Sequence, residues 1–352
     1  MTSSWQFVDP PPAEPPLHPR HGIHEPTAGS PARPPGSVRR TITIDALRPD
    51  GAQGNLRLVG KGRDLITGVD GASEVAAEAR FTLEIAPDGQ RNLLRIETTP
   101  AVPELQSLVG TGTTAGLRRR IAQAAPDLHA AQPLLEAMLD DAPVSALVSG
   151  YALGRMGLVP RATGMLLAQT DQCAGWARGA TLISAIEQDG MVPTVTGPIA
   201  PPLTRPDDPL AWHETSQLPP HGMRRHRRLD VTRSAETGSC DLDLLFRDSY
   251  QAAGGPETVI HEYTVAGRLD LTTMTLVEVS SVPRALPWVE CPLAAASASR
   301  LTGTPVADAR KMVRTDLQGT STCTHLNDTL RSLVGVPELV SLLPPAQRDT
   351  LR

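Results

Sequence analysis

Residues 242–265, "LDLLFRDSYQAAGGPETVIHEYTV", decide the fold. Two runs of alternating apolar residues flank a glycine- and proline-containing turn at 250–257, and this pattern predicts a β-hairpin. Side chains alternate between the two faces of a strand. One face of the hairpin should therefore carry a mixed polar and aromatic set: Phe246, Asp248, His261 and Tyr263. The other face should pair Arg247 with Glu262 across the strands.

The hairpin has a counterpart earlier in the chain. At a constant offset, "GRDLITG" (62–68) resembles "FRDSYQA" (246–252), and "EVAAEARFTLEI" (74–85) resembles "TVIHEYTVAGRL" (258–269). Each match is weak, but the matches follow one another in the same order in both halves. This shared order predicts an internal duplication.

The predicted fold class is α+β, with two pseudo-repeated halves that are each an antiparallel four-stranded meander followed by about three helices. In the first half, strand patterns cover 39–45, 54–60, 74–86 and 91–98. Helical patterns follow at 102–109, 114–124 and 130–140.

The domain boundaries follow from this repeat and from composition. Ten prolines without apolar periodicity predict a disordered tail over residues 1–37. The remaining segments are a first, structural repeat at 38–150, a connection at 151–220 with a CAGW motif and a proline-rich loop, a second repeat at 221–344 that carries the candidate site, and a C-terminal tail at 345–352.

The overall composition limits the class of protein. Apolar residues make up 40% of the 352 residues, which is enough for a core, and the net charge of −5 argues against a nucleic-acid partner. Arginine dominates over lysine and, with abundant Ala, Pro and Gly, indicates a GC-rich bacterial genome. The basic run "MRRHRR" (223–228) is interpreted as a solvated strand entrance.

Localisation and partners follow from what the sequence lacks. No secretory signal pattern opens the chain, no apolar run is long enough to span a membrane, and four cysteines are too few for a disulfide scaffold. We therefore expect a cytoplasmic protein with free thiols and no membrane partner. A small-molecule ligand is the expected partner, and a homo-oligomer is a possible assembly.

The two predicted halves differ in chemistry. His261 aligns with Ala77, and Cys323 and His325 align with Gln132 and Leu134. The second half therefore holds reactive groups where the first has mostly small or apolar ones. This asymmetry predicts that the second half carries the site and that the first supports the fold.

The stretch "GTSTCTHLND" (319–328) is the strongest single candidate. A helix is predicted to begin near Thr324, which places Cys323 beside unpaired backbone amides that favour a thiolate. His325 and Asp328 lie three apart and can meet on the helix surface. The candidate catalytic residues, in the roles of nucleophile, general base and orienting carboxylate, are Cys323, His325, His261, Asp248 and Asp328.

Two further thiols lie beside tryptophans, in "LPWVECP" and "DQCAGWA". The candidate substrate-binding residues are Arg247, which can hold a carboxylate, and three aromatic residues: Tyr263, Trp288 and Trp176. Zinc could bind a set of residues of suitable type: Cys323, His325, Cys291 and Cys173. The sequence, however, has no CxxC or HxxxH spacing. The cofactor is thus left open, with a divalent metal such as zinc as one alternative; ordinary buried core residues are the other.

The motifs "DQCAGWA", "FRDSY…IHEY", "LPWVECP" and "GTSTCTHLND" together resemble a bacterial, actinobacterial-type family that carries a domain of unknown function. The similarity covers most of the chain after the predicted tail and lies in the order of the motifs. It implies that one functional region contains Cys173, His261, Cys291, Cys323 and His325. It implies no reaction.

Two functional hypotheses follow. The first is an enzyme that acts on a small carbonyl or acyl compound through a Cys/His site, with metal assistance as a variant. The second is a non-catalytic protein whose duplicated halves form a ligand-holding shell or an assembly surface. The concentration of reactive groups in one half favours the enzyme.

Overall fold

The computed structural model describes residues 20–160, 163–190, 192–193, 195–236 and 238–345, and the backbone of Trp5–Phe7. Its strands are β1 (Trp5–Phe7), β2 (Ser37–Leu47), β3 (Leu56–Thr67), β4 (Ser73–Ile85), β5 (Leu93–Thr99), β6 (Leu158–Pro160), β7 (Met223–Arg233), β8 (Ser239–Gln251), β9 (Glu257–Asp270) and β10 (Thr275–Ala285).

The α-helices are α1 (Leu117–Ala124), α2 (Leu128–Ala131), α3 (Pro133–Val148), α4 (Gly150–Arg155), α5 (Thr163–Leu167), α6 (Thr181–Asp189), α7 (Ala309–Asp316), α8 (Thr324–Arg331) and α9 (Val336–Ser341). Short 3-10 helices cover Pro103–Leu108, Ala174–Trp176, Cys291–Leu301, Val306–Asp308 and Ser332–Gly335. Among the described residues, no helix is both long enough and apolar enough to cross a membrane.

One antiparallel sheet organises the chain. Its eight strands lie in the order β10-β9-β8-β7-β2-β3-β4-β5, and β1 and β6 form a separate two-stranded pair. Strands β2 to β5 are therefore consecutive neighbours, as are β7 to β10, and the two groups meet where β2 pairs with β7. The predicted α+β class is confirmed.

The two groups of strands share a local register. Arg63 lies opposite Glu78 between β3 and β4, and Arg247 lies opposite Glu262 between β8 and β9. In both pairs the next residue, Asp64 or Asp248, precedes an irregularity in the ladder. The predicted hairpin is present, with β8 ending at Gln251 and β9 beginning at Glu257.

Helices cover one face of the sheet, because apolar side chains on that face and on the helices form two buried clusters. One cluster joins the strands β7 to β10 to helices such as α8, whose Leu326 and Leu330 are fully buried. The other joins β2 to β5 to α3, through residues such as Met138 and Leu139. Charged side chains are also buried on the central strands β2 and β7, where the two clusters meet.

The opposite face is covered by irregular chain held through arginines. The Arg39 guanidinium binds Asp230 with two hydrogen bonds and also donates to the carbonyls of Ala211 and Pro31. Arg224 likewise binds Asp45 and the carbonyl of Ser216. Side chains of the basic run 223–228 are thus buried, in contrast to the solvated strand entrance expected for it. Aspartates on neighbouring strands and backbone carbonyls supply the partners that burial of a guanidinium requires.

Part of the predicted disordered tail is ordered. The amide of Thr27 donates to Glu262, and Arg33 forms two hydrogen bonds with Asp208. The prolines of residues 20–36 lie in irregular chain whose polar groups bond to the sheet and to the connection, so the segment needs no core of its own. Residues 1–19, apart from the Trp5–Phe7 backbone, and residues 346–352 of the predicted C-terminal tail lie outside the described residues.

Candidate functional site

The hairpin β8–β9 brings the first site residues together. Phe246 lies opposite Tyr263, and Asp248 lies opposite His261, on the helix-covered face. This is the shared face that alternation predicts. Helix α8 lies across it, with Cys323 as its N-cap residue and His325 in its first turn.

Two imidazoles from different elements stack on each other. The ring centroids of His261 and His325 are 3.6 Å apart, and the planes differ by 19°. His325 also stacks on Phe246, with centroids 6.0 Å apart. Burial, followed by the neighbouring His261, lowers the pKa of His325 well below its usual value. His325 is therefore a neutral imidazole at physiological pH.

Asp248 links the stack to a buried arginine. Its two oxygens accept hydrogen bonds of 2.8 Å from Arg225 Nε and Nη2. Burial alone would raise the pKa of Asp248, but the charge and hydrogen bonds of Arg225 outweigh it and hold that pKa below its usual value. Oδ2 also lies 3.8 Å from His261 Nδ1, and that nitrogen is buried without a hydrogen-bond partner among the described residues.

Asp248, His261 and His325 are close enough to share one ion. Each offers one ligand atom, and these atoms all lie within 4.8 Å of one another. Among the described residues, no other group of three histidine, cysteine or carboxylate side chains meets this spacing. The four-residue set predicted for zinc, Cys323, His325, Cys291 and Cys173, does not come together in this way.

Cys323 lies beside His325, with 3.9 Å between Sγ and Nδ1. Burial raises the pKa of Cys323 to about 11, although the backbone amides of His325 and Leu326 act in the opposite direction. The structure therefore holds a thiol where the helix-start argument predicts a thiolate. Loss of water outweighs the favourable helix end, because an isolated charge is costly to bury.

Cys173 and Cys291 are buried near Cys323, close enough for the three thiols to affect one another's pKa. The amide of Ala174 donates to the Thr322 carbonyl at 2.9 Å, which ties the CAGW turn to the loop before α8. A Cβ atom on Gly175 would lie 2.7 Å from the Cys291 sulfur, so glycine permits this close approach. Burial raises the pKa of both Cys173 and Cys291. In the metal-free chain these groups are therefore thiols.

Three aromatic residues were predicted to bind substrate. Tyr263 is fully buried, and burial, followed by the nearby Cys323, raises its pKa, so its hydroxyl keeps its proton. That hydroxyl forms no hydrogen bond with a described residue. Trp288 is buried close to Gly175, and Trp176 is partly buried in the same apolar cluster. Of the three, Tyr263 is the one beside the Cys323 sulfur.

Two predicted residues bind partners other than the stacked histidines. Arg247 is on the opposite face of the sheet, where its guanidinium binds Glu262 at 2.6 Å and the carbonyls of Pro201 and Thr27. It holds covering segments on the sheet and is not available to a substrate at the histidines. The Asp328 carboxylate lies 3.3 Å from Arg118 and 3.8 Å from Arg225, so it balances these cations.

Arg225 and Arg227 are site residues that the sequence analysis missed. Both guanidiniums lie about 5 Å from the centre of the Phe246 ring, as cation–π contacts. Arg227 also binds Asp141 of α3, so a helix of the first half supports the site in the second. A repeated arginine pair in the sequence could have indicated Arg225, because the pair at 39–40 recurs at 224–225. Arg40 binds Asp64 in the first half as Arg225 binds Asp248 in the second.

A family model described as "Protein of unknown function (DUF2889)" matches residues 223–337. The matched stretch runs from the start of β7 into α9, and it contains Asp248, His261, Cys323 and His325. The chain is similar to that family over this stretch, which supports the resemblance to a family with a domain of unknown function. No curated protein and no solved structure matches the chain.

Proposed function

We propose that the protein is an enzyme that acts on a small carbonyl or acyl compound through Cys323, His325 and His261. The observation that supports this proposal is their convergence: a thiol, two stacked imidazoles and an ionised carboxylate meet from β8, β9 and the start of α8. A neutral imidazole beside a thiol is the arrangement that general-base activation of a nucleophile requires.

In the proposed reaction, the Cys323 sulfur forms a bond to the carbonyl carbon while its proton passes to His325. The carbonyl π electrons move to the oxygen, for which the protonated Tyr263 hydroxyl is the nearest phenolic donor. Collapse of this adduct expels the leaving group, which takes the proton from His325. Water then releases the acyl group as a carboxylic acid and restores the thiol. The Asp248 carboxylate supports the positive charge that His325 gains during transfer, and His261 holds the His325 ring in place by stacking.

A panel of activated acyl compounds, such as p-nitrophenyl esters and thioesters, tests this proposal. We expect intact-mass spectrometry to detect an acyl adduct on the wild-type chain and on Cys240→Ser, whose cysteine lies at the start of β8 away from the histidines. Cys323→Ser and His325→Leu should lose the adduct and the turnover. Equal adduct formation in Cys323→Ser would contradict the proposal.

The alternative is a non-catalytic ligand-binding or assembly protein. The observation that favours it is the state of Cys323, which is only 4% exposed and protonated. Absence of an adduct across the whole panel, with ligand binding retained in Cys323→Ser, would support this alternative.

We also infer that the chain arose by duplication in a bacterial, cytoplasmic protein, and that the second half carries the chemistry. The matching registers at Arg63–Glu78 and Arg247–Glu262 support the duplication. So do the two ion pairs between β2 and β7, Arg39–Asp230 and Arg224–Asp45, which exchange partners as a two-fold relation would require.

A further inference from the structure

We propose that Asp248, His261 and His325 bind one divalent transition-metal ion, of which Zn²⁺ is the reference case. This site goes beyond the proposed acyl chemistry and describes a separate state of the chain, because a neutral imidazole has one lone pair and His325 cannot both bind the ion and take the Cys323 proton. It also differs from the cysteine-based zinc set that the sequence suggested, since its ligands are two imidazoles and one carboxylate.

The ligand set matches known metal preferences. Zinc in catalytic sites is held by three protein ligands drawn from His, Asp, Glu and Cys, and keeps an open position for water or substrate. Two histidines and one carboxylate also hold non-haem Fe²⁺. The three ligand atoms of Asp248, His261 and His325 lie within 4.8 Å of one another, and the His261 side chain is 15% exposed, which gives an ion a route of entry.

An unpartnered nitrogen is a second observation at the same place. His261 Nδ1 is buried and forms no hydrogen bond to a described residue, although it faces Asp248 Oδ2 at 3.8 Å. Buried polar atoms without partners are rare in native proteins and often mark the position of an ion or water. A cation between this nitrogen and the carboxylate would satisfy both.

Charge around the set is compatible with a cation. Each Asp248 oxygen accepts one hydrogen bond from Arg225 and keeps a further lone pair. The positive charge of Arg225 is shared with Asp141 and Asp328, each 3.8 Å away. Arg225 thus orients the carboxylate as an outer-shell partner, a role that metal sites commonly require.

Binding requires one local movement. Because the two imidazoles are nearly parallel, their lone pairs do not converge on one point. We expect the rings to tilt out of the stack, so that both nitrogens reach about 2.0–2.1 Å from the ion. X-ray absorption of the zinc-loaded protein should then show nitrogen and oxygen ligands without sulfur.

The first half of the chain provides a matched control. Asp64 binds Arg40 as Asp248 binds Arg225, but Asp64 lies opposite Ala77 instead of a histidine. A Cβ atom on Gly62 would lie 3.0 Å from Leu134, so an apolar side chain lies over this hairpin where His325 lies over the other. Asp64→Asn therefore disturbs an equivalent buried ion pair without touching the proposed site.

The experiment titrates the metal-free, full-length protein with Co²⁺ and Zn²⁺. Wild type, Asp64→Asn and Cys323→Ser should each bind one ion per chain. His261→Ala, His325→Leu and Asp248→Asn should bind at least about tenfold more weakly. Circular dichroism of each variant establishes that it is folded, and the two histidine variants keep the test valid if Asp248→Asn does not fold.

The absorption spectrum of the Co²⁺ form decides between ligand sets. We expect visible d–d bands without the near-ultraviolet charge-transfer band of a cobalt–thiolate bond. A thiolate band that disappears in Cys323→Ser would overturn the proposal, as would no stoichiometric binding by wild type or equal affinity in His261→Ala and His325→Leu. Metal binding is measured by titration and acyl-adduct formation by mass spectrometry. A negative result for one proposal therefore does not decide the other.

Discussion

His325 lies face to face with His261, with 3.6 Å between the ring centroids and 19° between the planes. One imidazole comes from the first turn of α8 and the other from β9, so the contact depends on how the helix docks on the sheet. It places a neutral base between a thiol and a carboxylate. Four predictions follow from the stack and from the buried charges around it.

Replacement of His325 by leucine should make the fold less sensitive to acid. The folded-state pKa of His325 is lowered below 6.5, so above that pH both states are neutral. Below it the unfolded chain binds a proton that the folded chain does not, and stability falls by up to about 1.4 kcal/mol per pH unit. In His325→Leu this dependence should shrink. Urea unfolding between pH 8 and pH 5 measures it, and identical pH profiles for both chains would contradict the prediction.

Breaking either of two matching ion pairs should destabilise the fold, with the larger loss at Asp64. Asp64→Asn removes the buried carboxylate that pairs with Arg40, whereas after Asp248→Asn the Arg225 guanidinium still has Asp141 and Asp328 at 3.8 Å. Loss of one partner of a buried pair costs about 3–5 kcal/mol. Urea unfolding measures the loss, and Asp207→Asn, in an exposed pair with Arg205, is the control expected to change little. A neutral Asp64→Asn would refute this account.

Cys323 should react slowly with alkylating reagents near neutral pH. The pKa of about 11 leaves few thiolates, and only 4% of the residue is exposed. Labelling by iodoacetamide, followed by peptide mass spectrometry, should rise about tenfold per pH unit between pH 7 and pH 10. The urea-unfolded chain is the control, in which all cysteines react quickly. Rapid modification of native Cys323 at pH 7 would show that a thiolate is present.

Arg247→Leu should release covering segments from the sheet. Arg247 binds the carbonyls of Thr27 and Pro201, and its loss leaves the fully buried Glu262 without a cation, at about 3–5 kcal/mol. Hydrogen–deuterium exchange should increase near residues 25–30 and 199–203 more than in β2. The matched variant is Arg63→Leu, because Arg63 binds only the Leu210 carbonyl among the described partners, and it should affect residues near 210. The same exchange pattern in both variants would argue against separate roles.

Strand alternation and local register could be predicted without coordinates. The side chains of Phe246, Asp248, His261 and Tyr263 share a face, and Arg247 pairs with Glu262, as the hairpin pattern indicates. These relations depend on neighbours within one hairpin, where the period of two residues leaves little freedom. The offset between the halves also placed Asp64 and Asp248 at matching positions.

Burial of the charged residues could not be predicted in this way. The basic run 223–228 resembles a solvated segment, yet β7 is a central strand whose arginines meet aspartates from distant parts of the chain, such as Asp45 and Asp141. A linear pattern does not reveal which partners will compensate a buried charge. The same limit explains why the sequence predicts disorder for residues 20–36. Their order comes from contacts with the sheet and the connection, which a linear pattern does not show.

The amino-acid sequence by itself determined the α+β class, the hairpin and the polar face that holds Asp248 and His261, because these follow from short-range periodicity. Only the tertiary structure decided that His325 stacks on His261, that Cys323 is a protonated thiol and that Arg247 binds the covering segments at Thr27 and Pro201. Those features depend on which surfaces lose water when α8 and the covering segments dock on the sheet, and desolvation is a property of the packed molecule.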